Sequence, residues 1–231
     1  MKRVVRALFQ CATRSRLLAR ALFGGPLAQL VPGDRYFDVT TLALRRHLAR
    51  RLPVGARVLE IGTGSFAILA LWLERRRGCH VVATELDPAT AQRARARLAR
   101  AGAKLVLHEG AFLAGARGPF DLVVFNPPYV PRPVGEARGL DEAQRLQWDG
   151  GADGMEVVRG LCEALAQEAF EGVALLGVNS QYVSRSQLLA LFDESPHVEC
   201  SEHHRDPWLP VDLYDLVRRK SPSARQSSPV E

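Results

Sequence analysis

Four consecutive residues, Asn126, Pro127, Pro128 and Tyr129, bring together groups suited to holding a planar amino group. An asparagine amide both accepts from and donates to an –NH2, and the Pro127 carbonyl, with no local ladder role, can accept a second N–H. Tyr129 offers a ring face for a flat amide or base. Earlier in the chain, the stretch VLEIGTGS (58–65) places Glu60 in an apolar run and Gly62, Thr63 and Gly64 in a turn at its end. Glycines there allow a tight turn and close approach of backbone to a ligand. Glu85 follows 23 residues after Gly62. A carboxylate at about that spacing can accept both hydroxyls of a ribose. The neighbouring Asp87-Pro88 pair has the form of a helix cap and first helical residue, which leaves Glu85 for the sugar.

These residues need a frame that brings strand ends together. Residues 57–61, 80–85, 104–108, 120–125 and 173–178 are short apolar runs with strand character. Helical patterns separate most of them, over 65–77, 88–101, 155–170 and 184–192. Two last strands are expected near 197–203 and 211–218, with no helix between them, so they can pair antiparallel. The alternation predicts an α/β fold: a Rossmann-like, doubly wound, mostly parallel seven-stranded sheet with one antiparallel strand near the C-terminus. In such sheets ligands sit beyond the carboxyl ends of the strands, where the glycine turn, Glu85 and the Asn126 turn all fall. Ahead of this lie a helix over 3–23, ended by Gly24, Gly25 and Pro26, and another over 38–51, capped by Asp38 or Thr40.

The glycine turn and Glu85 alone suit a nicotinamide enzyme as well as an S-adenosylmethionine enzyme. The Asn-Pro-Pro-Tyr turn directly after the fourth strand favours the second, because prolines there force the backbone out into the ligand crevice. Taken together with Glu60, Gly62-Thr-Gly64 and Glu85, it makes the chain resemble class I S-adenosylmethionine-dependent methyltransferases that methylate nitrogen. The stretch WDGGADGM (148–155) makes the HemK family of protein-glutamine N5-methyltransferases the nearest resemblance, over about residues 53–218. The tetrapeptide is shared with adenine-N6 and cytosine-N4 methyltransferases, so it does not name the acceptor.

The resemblance implies roles. Gly62, Thr63 and Gly64 would lie against the methionine part of S-adenosyl-L-methionine, Glu60 near its amino group and Glu85 on its ribose. Asn126, at the cofactor's edge, and the Pro127 carbonyl would hold the acceptor nitrogen, with Tyr129 beside it. Methyl transfer would be an in-line displacement in which positioning dominates. Two positions depart from the family pattern. Phe66 stands where glycine is usual and could reshape the cofactor entrance, and Gly110, beside Glu109, stands at the acidic position after strand three.

Composition bounds the partners. At 231 residues and 47% hydrophobic, the chain can bury a full core. No apolar run reaches the roughly 18–20 residues of a membrane span. The cysteines at 11, 79, 162 and 200 form no C-x-x-C and suit a reducing, cytoplasmic setting. The net charge of +6 is accounted for by residues 1–35, with seven bases against Asp34. Residues 1–33 contain no acid, a composition shared with organelle targeting segments. Three units are expected: a basic helical extension (1–52), the methyltransferase domain (53–219) and a disordered tail (220–231). A protein or peptide is the expected substrate. Nucleic acid recruited by the basic arm is the alternative, and a non-catalytic partner-binding subunit is a third reading, drawn from Phe66. Adjacent histidines at 203 and 204 project to opposite faces of a strand, so no metal site is expected.

Overall fold

The computed structural model describes residues 11–24, 30, 35–167 and 170–219. The expected tail (220–231) and the start of the expected basic helix lie outside the described residues. A single sheet of seven strands runs in the order β3-β2-β1-β4-β5-β7-β6. The strands are β1 (Arg57–Ile61), β2 (His80–Glu85), β3 (Val106–Glu109), β4 (Leu122–Phe125), β5 (Val173–Asn179), β6 (Val198–Arg205) and β7 (Val211–Arg218). β1 to β5 are mutually parallel. β7 inserts antiparallel between β5 and β6, as expected for two final strands without an intervening helix. The order reverses between β1 and β4, so the crevice of this fold opens at their carboxyl ends. Gly62 follows one of those strands and Asn126 the other.

Alternate side chains of each strand feed two cores. Val58, Val124 and Leu175 join one cluster, and Leu59, Val123, Phe125 and Leu176 the other. The first cluster is covered by α1 (Arg16–Phe23), α2 (Val39–Arg51), α3 (Ile68–Arg77) and α4 (Pro88–Ala101). The second is covered by α7 (Glu156–Gln167) and α8 (Arg185–Glu194). Two short helices, α5 (Arg132–Ala137) and α6 (Arg145–Trp148), lie between β4 and α7.

Helix α2 begins where Asp38, in extended conformation, accepts from the Thr41 N–H at 2.7 Å. It buries Ala43, Leu44 and Leu48 against β5 and β7. Each fully buried leucine contributes roughly 1.5–3 kcal/mol of apolar burial. α1 docks through Ala19 and Phe23, with Phe23 5.3 Å from Phe37 and the Arg45 guanidinium between Phe23 and Trp72.

Some boundaries differ from the sequence pattern for local reasons. Ser15 interrupts the first helix and caps α1 through the Leu18 N–H. α3 starts at Ile68 rather than Ser65, because the glycine turn extends to Ala67, which is left-handed at φ 42°. β3 starts at Val106 rather than Lys104, whose N–H is taken by the Glu74 carboxylate at 2.6 Å.

Candidate active site

A cleft of about 610 Å³ opens at the β1/β4 switch point, within the usual range for a small-molecule site. Its floor is the turn after β1. Gly62 and Gly64 sit at φ 65° and 67°, a left-handed region that side-chain-bearing residues rarely adopt. Nothing lies within 4 Å of where a Cβ on Gly64 would project, so this backbone faces open space. The Gly64 N–H donates to Glu85 Oε2 at 2.9 Å, and the Asp87 N–H to Oε1 at 3.1 Å. Both carboxylate oxygens of Glu85 are thereby fixed at the end of β2, with lone pairs still available toward the cleft. Asp87 caps α4, accepting from the Thr90 N–H and hydroxyl.

Glu60 is buried beneath this turn. The Thr63 hydroxyl donates to its Oε2 at 2.7 Å. Burial pushes its carboxyl up to about 8, opposed by hydrogen bonds from Thr63 and the Ala70 backbone and assisted by the Glu85 charge.

The Asn-Pro-Pro-Tyr turn is held from behind by the first turn of α2. Asn126 Nδ2 donates toward Asp38 Oδ1 and Oδ2 at 3.1 and 3.2 Å and toward Thr41 Oγ1 at 3.3 Å. Asn126 Oδ1 is buried and has no partner among the described residues. Tyr129 is itself buried, its hydroxyl 2.8 Å from Thr40 Oγ1. Burial, followed by the Asp38 charge, raises its phenol well above the ordinary value, so it stays a neutral hydroxyl. Of the tetrapeptide, Asn126 and Pro128 line the cleft, while Pro127 and Tyr129 pack behind it.

The stretch 148–155 closes on the same turn. The Val130 N–H donates to Trp148 O at 2.8 Å, and the Gly150 N–H to Val130 O at 2.9 Å. A Cβ on Gly150 would come within 2.8 Å of Tyr129 Cα, so only glycine lets the two backbones approach this closely. Asp149 ties α5 to α6, accepting from Arg132 Nε and Arg145 Nε at 2.9 Å each. Burial alone would raise its carboxyl, but the bonds from Arg132, the Gly151 N–H and Arg145 outweigh that and hold it below the ordinary range. The rim of the cleft is the segment 141–147, with Asp141, Glu142 and Arg145 among its charges.

Phe66 forms part of the wall without filling the cleft. It is 8% exposed, sits edge-on to Tyr36 at 4.9 Å and has the Arg97 guanidinium 5.6 Å from its ring. Glu109 pairs with Arg95 at the sheet edge. His203 and His204 do project oppositely, His203 to Asp212 at 2.9 Å and His204 toward His47 and Asp215. His47, His204 and Asp215 place their ligand atoms within 4.8 Å of one another. Arg51 Nη1 stands among them, 2.7 Å from His204 Nε2 and 3.1 Å from Asp215 Oδ2, so a fixed cation already fills the group.

The polar residues that sequence reading left out of the site are Asp38, Thr40 and Thr41. The only local signal was a capping residue before a helix, and that signal carries no pointer to a turn 88 positions away.

The chain is similar to known proteins in sequence and in fold. The family model described as "Methyltransferase small domain" matches residues 31–142, a span that takes in the α2 cap, the glycine turn, Glu85 and the Asn126 turn. Over that span the chain is similar to the methyltransferase small domain. A release factor glutamine methyltransferase of Bradyrhizobium diazoefficiens is 33% identical over 154 residues, 64% of this chain and 52% of that protein. One from Deinococcus radiodurans is 39% identical over 125 residues, 52% of this chain and 44% of its own length. The chain thus spans about half the length of the curated relatives it matches. Among solved structures, a methyltransferase from Pyrococcus furiosus superposes with a TM-score of 0.65 at 21% identity, covering 92% of this chain and 97% of its own. That likeness carries the methyltransferase fold. Among the described residues, no helix is long and apolar enough to cross a membrane.

Proposed function

We propose that the chain transfers a methyl group from S-adenosylmethionine to the side-chain amide nitrogen of a glutamine in a protein. The observation that carries this reading is the buried, unpartnered Asn126 Oδ1 at the edge of the cleft. A buried acceptor without a partner is costly, and an incoming –NH2 would satisfy it. The names of the two bacterial relatives point to the same acceptor class.

The residues present fit the cofactor. The open Gly64 backbone can lie against its methionine part, the anchored Glu85 can accept its ribose hydroxyls, and the buried Glu60 can ionise opposite its ammonium group. When bound, S-adenosylmethionine supplies an electrophilic methyl on a sulfonium leaving group. The protein's part is to position and polarise the acceptor. A glutamine amide is a weak nucleophile because its lone pair is delocalised into the carbonyl. Asn126 Oδ1 accepting an N–H of that amide would favour a localised lone pair as positive charge develops on nitrogen. No side chain needs to remove a proton before attack.

The test is transfer of labelled methyl to a purified release factor, with mass spectrometry locating the modified residue. Methylated glutamine is expected, and Asn126→Ala should keep S-adenosylhomocysteine affinity while losing at least 100-fold in transfer. An unmodified release factor together with methylated adenine in an RNA control would replace this reading with base methylation.

A further inference from the structure

We propose that Asp38 is a positioning residue that sets the orientation of the Asn126 amide and so makes the corner accept an amino group and refuse a carboxylate. The inference rests on the amide-methylation reading above and adds a residue outside the motifs that suggested it.

An asparagine amide is nearly symmetric in shape, and its two flips present opposite chemistry. One offers an acceptor to the ligand and the other a donor. Asp38 removes the second option. Its ionised carboxylate can only accept, and both its oxygens lie within 3.2 Å of Asn126 Nδ2. Thr41 completes the lock. Its hydroxyl proton is spent on Asp38 Oδ1 at 2.9 Å, so its oxygen faces Asn126 Nδ2 as a third acceptor at 3.3 Å. Flipping the amide would set Asn126 Oδ1 against these three acceptor oxygens. The locked flip leaves Oδ1 buried and turned to the acceptor side.

This work is separable from capping. Oδ1 alone takes the Thr41 N–H that starts α2. Among the described residues, the hydrogen-bond partner of Oδ2 is Asn126. The negative charge behind Nδ2 also polarises the amide, making Oδ1 a stronger acceptor as charge builds on the attacking nitrogen. A glutamate in place of glutamine would bring a carboxylate against Oδ1, with neither a proton to donate nor relief from the Asp38 charge. Sites built to hydrogen-bond an N–H discriminate strongly against analogues that lack it.

Serine and asparagine both cap helices well, so Asp38→Ser and Asp38→Asn keep the start of α2 while removing the doubly accepting carboxylate. Methyl transfer to a purified release factor should show kcat reduced at least tenfold in both, with KM, S-adenosylhomocysteine affinity and thermal midpoint close to wild type. In parallel, NMR of the Asn126 side-chain NH2, assigned by its loss in Asn126→Ala, should show slow exchange in the wild type and fast exchange in Asp38→Ser. Wild-type kcat in either folded variant would overturn the proposal, because a capping role alone predicts that result. If the wild type transfers nothing to a release factor, the amide reading fails, and the NMR experiment still decides the clamp. Protection lost on substitution upholds it, and an unprotected wild-type NH2 overturns it.

Discussion

The hydroxyls of Thr40 and Tyr129, 89 positions apart in the chain, meet in a buried hydrogen bond at 2.8 Å. Thr40 is fully buried and Tyr129 nearly so. Helix α2 therefore grips the Asn-Pro-Pro-Tyr turn at both ends, through Asp38 and Thr41 at Asn126 and through Thr40 at Tyr129. Tyr129→Phe would strand the Thr40 hydroxyl at a cost of about 1–3 kcal/mol. A melting point lower by roughly 2–4 °C per kcal/mol is expected. The double variant Thr40→Val/Tyr129→Phe should recover part of that loss, because neither polar group is then left alone. A melting point unmoved by Tyr129→Phe would show that the bond contributes nothing.

Glu60 gives a pH signature. Its carboxyl is raised by burial from 4.5 to about 8 in the folded state. Between those values the native protein holds a proton that the unfolded chain releases, so this group's contribution to stability falls as pH rises through the window. Glu60→Gln removes that fall. Its stability advantage over wild type should be small near the lower limit and grow toward the upper one, measured as chemical denaturation midpoints in the absence of cofactor. The same variant should bind S-adenosylhomocysteine more weakly, having no charge to offer an ammonium group. A stability difference that does not change with pH would mean Glu60 is ionised in the fold.

Glu85 joins the two halves of the cleft floor, the proposed cofactor site, through Gly64 and Asp87. Glu85→Ala should weaken S-adenosylhomocysteine binding by roughly 10–100-fold, the scale of one hydrogen bond to a charged group or more. Calorimetric titration measures it directly, and unchanged affinity would remove Glu85 from the cofactor site.

At Gly150 the space a side chain would take is filled by backbone. A Cβ there would lie 2.7 Å from Gly154 O and 2.8 Å from Tyr129 Cα, and neither can swing aside. Gly150→Ala should cost about 1–3 kcal/mol by overpacking. It should also lower methyl transfer more than cofactor affinity, because the strain falls on the Tyr129 backbone rather than on the glycine turn. Equal losses in both would place the disturbance elsewhere.

Much of the frame was legible because its signals are local. Residues 57–61 and 173–178 are apolar runs bounded by turns, and the observed strands begin where those runs begin. The Gly62–Gly64 turn, Glu85 and Asn126 were placed at one edge of the sheet by chain order alone, and the cleft lining brings them together. The grip of α2 on the Asn126 turn was not legible, because contacts spanning 85–89 positions leave no periodicity to read. α5 was hidden by its own composition: RPVGEA holds a proline and a glycine, poor helix formers, and it is fixed by packing on Trp148 and the Arg132–Asp149 pair. Phe66 was readable as unusual, but its direction depended on Tyr36, which no local pattern links to it.

The placement of β7 has a consequence for synthesis. α2 lies across β5 and β7, and β7 is among the last segments of the described chain to be made. A growing polypeptide that has just delivered residue 129 already holds β1 to β4, the glycine turn and Glu85. It has no β5 or β7 surface on which α2 could settle. The floor of the cleft can thus form early, while the corner around Asn126 matures only after residue 218 has joined the sheet. Until β7 has joined the sheet, α2 lacks part of the surface it packs on, and the Asn126 amide lacks the frame that holds Asp38 and Thr41 against it.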